Sequence, residues 1–506
     1  MGVSHFFLSA LRELYKANFC DILFNGAVYD GFSICSGIKQ GCPASGSIFV
    51  LCLDPFLRML ATLLPDIRHE LRAFADDMAI VVLHLLRALP ILHDTFHLLR
   101  RATRLRLNAK KTVIIPLWKG GAFDARRFLV DTLPGMGDAK VAYFGKYLGI
   151  YIGPDGDTRR WDSLCSKFSQ RANMSQHLSS HFLHAVLHYR TYTFSTACYL
   201  IQFHSPPARL LKIEQISLQR LLRGPCNAIP TPAIHQLKEL GIQHEAPSLR
   251  VVSDASQLRL ARATPRFDFY CDLIDNGFPD DWSQLLQPRD VPWATTVSIH
   301  HIQQTVGRHR ALFLRIGHFP PRERQGLAAG ELRAALPPYW RDLIRRRVSR
   351  WVPAAAAADA ADCVLYNLKH LAGTIPDSVL LTYVRSVTNA WTTSRRFQEE
   401  VLPCRFCHTE LGDHIAHYLA CPVMQVFARE HFPLAELTGS DDYLQSLLLL
   451  LRLPTGVAGQ IVVLHDVLFS AHRHLRHGDV STPASTMQAR LRALRRRHPS
   501  LRAIGL

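Results

Sequence analysis

The sequence predicts an α+β fold, and three observations carry that prediction. Hairpin signals alternate with helical stretches over roughly the first 155 residues. Strand signals then vanish from about residue 159, and the rest of the chain repeats its apolar residues at helical spacing. An apolar share of 48% against 20% charged residues is globular composition, which excludes general disorder.

Residues 4–17 place Phe7, Leu8, Leu11, Leu14 and Tyr15 on one helical face. The runs CDILFNG and FSICSG come next as short strands, and Asn25–Gly26 between them suits a tight hairpin turn. After GCPASGS a helix is predicted with Ile48, Phe49, Cys52, Phe56 and Leu60 on its apolar side, interrupted or bent at Pro55. Residues 71–82 read as two strands around Asp76–Asp77. A helix over about 90–105 comes next, with Pro90 in its first turn, then a strand at 112–117 and a hairpin within 141–153. The remainder is helical, with breaks at Pro288, Pro292, Pro320–Pro321 and Pro337–Pro338. The alanine-rich stretch 353–362 is a helix or a linker.

Lys and Arg number 59 against 41 Asp and Glu, a net charge of +18, which suits a polyanionic partner, nucleic acid being the commonest. Twelve cysteines in 506 residues do not make a disulfide framework, and Cys52 and Cys198 lie in apolar runs as core residues. The N-terminal stretch turns charged too early for a secretory signal, and Phe6 stands where myristoylation needs Ser or Thr. The greasiest stretch, 447–464, is broken by Arg452, Pro454, Gly456 and Gly459, so no membrane span is expected there. These features read as a soluble intracellular protein.

LRAFADDMAIVV, residues 71–82, holds the strongest chemical signal. Two adjacent carboxylates at a tight turn repel each other unless solvent or a cation relieves them. Magnesium does so with oxygen ligands, and a pair of such ions can clamp both oxygens of an in-line phosphoryl transfer. A plain solvated turn is the alternative. Upstream, Gly37 and Gly41 bracket Gln40, and Pro43 with Ser45 can start the next helix; such a turn lets backbone approach a ligand. Downstream, Asn108, Lys110, Lys111 and Thr112 precede a strand, the lysines meeting phosphate, donating a proton, or simply staying solvated.

In this order the motifs resemble the reverse-transcriptase domain of non-LTR (LINE-type) retrotransposons. Gly37, Gln40, Gly41 and Ser45 match its Gly-x-x-Gln-Gly-x-x-x-Ser turn; Phe74-Ala75-Asp76-Asp77 match its metal hairpin. Leu107, Asn108, Lys111 and Thr112 match its Leu-Asn-x-x-Lys-Thr segment, and Tyr147-Leu148-Gly149 match its primer-grip hairpin. The likeness is strong over residues 1 to about 155 and loose to about 240. It implies an RNA-directed DNA polymerase holding Mg2+ on Asp76 and Asp77, with Asp76 the direct ligand. It further implies Gly37, Gln40, Gly41, Ser45 and Phe74 near template or nucleotide, Tyr147, Leu148 and Gly149 on the primer, and Lys111 as an acid toward pyrophosphate. RNA template, DNA primer or target and deoxynucleotides are the implied partners, and the nucleus the implied location. Gly46 departs from the family's proline. The family also has an earlier strand whose aspartate completes the metal site. Relative to it the chain is expected to be N-terminally truncated and inactive as written, or a non-catalytic nucleic-acid-binding relic.

Near the C-terminal end, Cys404, Cys407, His417 and Cys421 form C-x2-C-x9-H-x3-C, a four-ligand zinc set, with His408 and His414 as alternates. The alternative is a pair of buried cysteines beside surface histidines. The His-Tyr-Leu-x-Cys-Pro ending resembles the CCHC zinc knuckle of the same family, which implies a structural Zn2+. Two arginine runs lie at 341–350, beside Trp340 and Trp351, and at 490–497 near the end. They offer phosphate contacts or are solvated helix faces, and the second also reads as a disordered tail. The expected organisation is a partial palm over 1–155, a helical thumb-like region over 156–240 and a helical region of unassigned role over 241–400. The knuckle comes next at 401–425, then a helical C-terminal region at 426–506.

Overall fold

In the computed structural model, residues 4–34, 37–38, 41–64, 69–178, 182–221, 229–263, 296–336, 339–397, 400–433, 443–478 and 482–506 are described. The chain divides into two compact units, Met1–Asp157 and Thr158–Leu506.

In the first unit, Ser4 accepts the Phe7 N–H at 3.2 Å and so caps helix α1, His5–Leu14. Strands β1 (Phe19–Phe24) and β2 (Ala27–Ser33) pair antiparallel. They meet at Asn25 (φ +49°) and Gly26 (φ +79°), the two positive angles that an Asn-Gly turn supplies. This hairpin adds nothing to the core, because Phe19, Leu23, Phe24, Val28 and Phe32 are each more than half exposed.

Helix α2 (Ser45–Leu63) runs unbroken through Pro55. Its Leu53, Phe56 and Leu60 are buried with Ala88 and Leu99 of helix α3 (Leu85–Thr103), and Phe56 stands 5.4 Å from Phe96. That packing outweighs the lost hydrogen bond, so the expected interruption does not occur. By length and composition alone α2 would also be apolar enough to cross a bilayer. The 90–105 expectation needs a second correction. Helix α3 begins at Leu85, so Pro90 lies inside it and not in its first turn. Leu85 and Leu86 pack against a core of Leu89, Ile114, Leu129 and Met136, which draws the helix start upstream.

Strands β3 (His69–Phe74) and β4 (Asp77–Val82) form the expected hairpin. The predicted 112–117 strand shrinks to β5 (Val113–Ile114). It pairs in parallel with β6 (Lys140–Val141), across helix α4 (Gly121–Thr132). Only β7 (Gly145–Tyr147) and β8 (Ile150–Ile152) of the 141–153 stretch make the hairpin. The described strands thus form four two-stranded sheets and not one continuous antiparallel sheet.

The second unit is helical, with a lone bridge between Ala372 and Ile375 among the described residues. Its core centres on helix Thr455–Arg476, whose Ile461, Val462, Val463, Leu464 and Leu468 are buried. Against it pack helices Asp377–Val387, Ala357–Leu371 and Pro483–Arg497. The alanine-rich stretch is helical from Ala354 onward. Pro321 opens helix Pro321–Ala334, whereas Pro288, Pro292, Pro337 and Pro338 lie outside the described residues. The C-terminal arginine run is no disordered tail. It sits on helix Pro483–Arg497, anchored by buried Met487, Leu491 and Leu494.

Glu214 is buried on helix Ala208–Leu221 and accepts the Leu249 N–H at 2.8 Å and the Tyr189 hydroxyl at 3.4 Å. Burial pushes its carboxyl up to about 8. The folded state therefore keeps a proton that the unfolded chain releases above its ordinary value, so stability falls as pH rises from about 4.5 through 8. Buried His465 behaves oppositely: burial lowers it to about 4, and stability falls as pH drops below its ordinary 6.5. Glu214→Gln is expected to flatten the alkaline loss and to gain a few kcal/mol, as an order of magnitude, over the parent near pH 9. Urea unfolding across the pH range checks this, and parallel stability curves would count against it.

Candidate nucleic-acid and metal sites

The β3–β4 hairpin closes with Phe74 directly opposite Asp77, leaving Ala75 and Asp76 as a two-residue turn. Ala75 takes a left-handed φ of +52°, a conformation that costs a non-glycine residue on the order of 1 kcal/mol. Asp76 thereby occupies the tip and Asp77 the first position of β4. Both are exposed, and neither carboxylate makes a hydrogen bond or ion pair among the described residues. Two adjacent exposed carboxylates that make no ion pair among the described residues suit an external cation.

The structure brings a second predicted element to this hairpin. Tyr147, the last residue of β7, has its hydroxyl raised by burial and then by the charge of Asp77, with Arg72 opposing. Asp77, Arg72 and Tyr147 therefore share one neighbourhood, beside the exposed ring of Phe74. Arg72 pairs with Glu70 at 2.5 Å. The sequence reading passed over Arg72, which carried no motif of its own. Leu148 (φ +45°) and Gly149 (φ +86°) close the β7–β8 turn.

Other predicted residues are placed without joining this group. Gly37 and Gly41 take φ of +96° and +85°, and open space surrounds the position a side chain would fill. Gln40 lies outside the described residues. Ser45 is the first residue of α2 and does not cap it; Ala44 holds the cap position. Asn108 accepts the Lys111 N–H at 3.2 Å and its carbonyl accepts the Thr112 hydroxyl at 2.9 Å. This pair therefore braces the turn Ala109–Lys111. The Lys111 side chain is exposed and makes no ion pair with Asp76 or Asp77 among the described residues.

In the second unit the four predicted ligands converge. Cys404 and Cys421 place their sulfurs 4.0 Å apart, and Cys407 Sγ is 3.1 Å from His417 Nε2. All four ligand atoms lie within 4.8 Å of one another. A zinc tetrahedron with bonds of about 2.0–2.3 Å spaces its corners by about 3.3–3.8 Å, so the set could hold one such ion. A hydrogen bond between the two thiols raises Cys404 well above the usual range and lowers Cys421. Gly412 packs so tightly that a side-chain carbon there would stand 2.7 Å from Cys404 Cβ. The alternates fall away. His414 Nδ1 accepts the His417 N–H at 3.1 Å and caps helix Ile415–Ala420, and His408 stays outside the cluster.

One buried carboxylate, which sequence reasoning missed, fastens this cluster to the core. Asp413 accepts the Tyr418 hydroxyl at 2.8 Å and the Ser394 N–H at 2.7 Å, and its carboxylate meets His472 Nε2 at 3.3 Å. Burial alone would raise Asp413. The bonds from His472, Ser394 and Tyr418 outweigh it and hold the carboxyl well below the usual range. His472 belongs to helix Thr455–Arg476, so the cluster hangs from the central helix of the unit.

Comparison with known proteins bears on the first unit. Residues 4–152 match the family described as reverse transcriptase (RNA-dependent DNA polymerase). A stretch of 82 residues is 33% identical to the "Transposon TX1 uncharacterized 149 kDa protein" of Xenopus laevis, covering 15% of this chain and 6% of that protein. The family match spans the glycine turn, the aspartate hairpin and the Tyr147 turn alike. Residues 4–152 are a reverse transcriptase domain.

Proposed function

We propose that the chain carries the reverse-transcriptase domain of a non-LTR (LINE-type) retrotransposon, whose complete enzyme works in the nucleus as an RNA-directed DNA polymerase on an RNA template and a DNA primer. The observation that carries this reading is the exposed, unpaired Asp76–Asp77 turn with Tyr147 beside it, inside a domain of that family. The transposon relative points the same way. Asp76 at the tip and Asp77 on β4 would hold magnesium, and the bound ion would supply the charge neutralisation that nucleotidyl transfer needs. Tyr147, Leu148 and Gly149 grip the primer end, and Phe74 flanks it. The open backbone at Gly37 and Gly41, with Gln40 and Ser45, lies along template or nucleotide, and Lys111 offers a proton toward departing pyrophosphate. On this reading residues 1–155 act as palm and 156–240 as a thumb-like region. Residues 401–425 form a zinc knuckle that helps hold nucleic acid, and 426–506 support it.

The family resemblance calls for a third carboxylate, which residues 1–506 do not supply in a matching strand. A polypeptide of these residues is therefore expected to bind an RNA–DNA hybrid without extending its primer. Product that disappears in Asp76→Asn would show that two carboxylates suffice. Failure to bind the hybrid would overturn the reading itself.

Zinc analysis of the purified chain is expected to give about one ion per chain, lost in Cys404→Ser and Cys421→Ser and kept in His414→Ala. Loss in His414→Ala with retention in His417→Ala would reverse the ligand assignment. Asp413→Asn should keep the ion yet destabilise the second unit by about 3 kcal/mol, because it weakens a buried charged node. An unchanged unfolding midpoint would remove Asp413 from that role.

A further inference from the structure

The arginine run at 341–350 is not one feature. Arg341 is neutralised by Asp362, with contacts of 2.6 and 2.7 Å, and Arg345 pairs with Asp342 at 3.4 Å. Arg346 and Arg350 instead donate only to backbone carbonyls, of Asp342 at 3.3 Å and Arg347 at 3.0 Å. Neither they nor Arg347 make an ion pair among the described residues.

This unpaired half meets two further arginines from a distant part of the chain. Arg395 and Arg396 lie on the turn Arg395–Phe397, near enough for their charges to act on Arg350 and, from Arg396, on Arg347. Burial, then the charges of Arg350, Arg396 and Arg346, lower Arg347; burial, then Arg396 and Arg395, lower Arg350. The Arg396 Nε is buried without a partner. The charges of Arg346, Arg350 and Arg396 thus act on Arg347 and those of Arg395 and Arg396 on Arg350, and none of the five makes an ion pair among the described residues. A merely solvated face would spread such charges apart.

The neighbours of the cluster point to the ligand. Arg346 and Arg347 line a cleft of about 460 Å³ with Tyr339, Leu343 and Pro230. Phe397 is 42% exposed, with the Arg476 guanidinium 5.3 Å from its ring. Phosphate-binding forks next to aromatic faces are what a single strand needs, since its bases are free to stack. The position is also fixed from the Cys/His cluster: Ser394, adjacent to Arg395, is held by Asp413, and the Arg395 charge reaches His414.

We propose that Arg346, Arg347, Arg350, Arg395 and Arg396 form one composite surface that binds the phosphate backbone of single-stranded nucleic acid. The inference rests on the polymerase reading and adds to it a site, a strand type and a division of the arginine run. Asp413, beside the Cys/His cluster, holds Ser394 and with it the start of the segment that carries Arg395 and Arg396.

The test is fluorescence anisotropy of the full chain with a labelled uridine homopolymer of about 20 nucleotides across a salt series. Arg347→Gln/Arg350→Gln and Arg395→Gln/Arg396→Gln should each weaken binding at least about fivefold and lower the salt slope by about 1.4, near 0.7 per lost contact. Arg341→Gln/Arg345→Gln removes the same formal charge and should leave the slope within about 0.3 of the parent. The double lysine variants at 347/350 and 395/396 should keep most of the slope, which separates lost charge from lost fold. Equal losses in all three glutamine pairs, or none in the first two while the parent binds, would overturn the surface. Equal losses on a blunt DNA duplex would overturn the single-strand assignment. A parent chain that binds no nucleic acid at all would remove the polymerase reading along with it.

Discussion

Like charges held close together without an ion pair of their own are the constraint on which both candidate sites depend. In the first, a two-residue turn leaves Asp76 and Asp77 adjacent and exposed, with no partner among the described residues. In the second, five arginines converge from two segments. Folding tolerates such repulsion where packing nearby over-determines the backbone, and the repulsion is relieved by something from outside. On the proposed reading that is a cation for the aspartates and phosphate for the arginines. A nucleic-acid polymerase needs both kinds of place.

Packing explains how each is held. The aspartate turn rests on a hairpin whose Leu71, Met78 and Ile80 pack against the core shared by α2 and α3. In the second unit the node is Asp413, a carboxylate almost wholly removed from solvent that ties Ser394, Tyr418 and His472 together. Breaking one member of such a node leaves the others buried and unsatisfied, which is why it restrains more than its own loop. The convergent thiols and Arg395–Arg396 hang from the same point.

Much of this was legible in the sequence where a residue type dictates local geometry. Asn25–Gly26 announced its turn because few other pairs tolerate those angles, whereas the Leu148–Gly149 turn was legible only through its motif. The spacing of Cys404, Cys407, His417 and Cys421 announced a converging set. Legibility failed where tertiary packing decides. Pro55 looked like a helix interruption or bend and Pro90 like a helix start, yet both sit inside helices held by buried leucines and phenylalanines. The parallel pairing of Val113–Ile114 with Lys140–Val141 depends on a crossover through α4 that periodicity did not single out. Asp413, Arg395 and Arg396 carried no motif, and only the fold reveals what they face. The split of the 341–350 run likewise depends on where Asp362 falls, on the neighbouring helix.

The central claim is that the Asp76–Asp77 turn holds a divalent cation, and manganese titration followed by electron paramagnetic resonance tests it most directly. With zinc already loaded, the parent chain should quench the free-ion signal at sub-stoichiometric additions, and Asp76→Asn/Asp77→Asn should leave that signal free. Identical titration curves for parent and variant would contradict the account, because the exposed pair would then be an ordinary solvated turn.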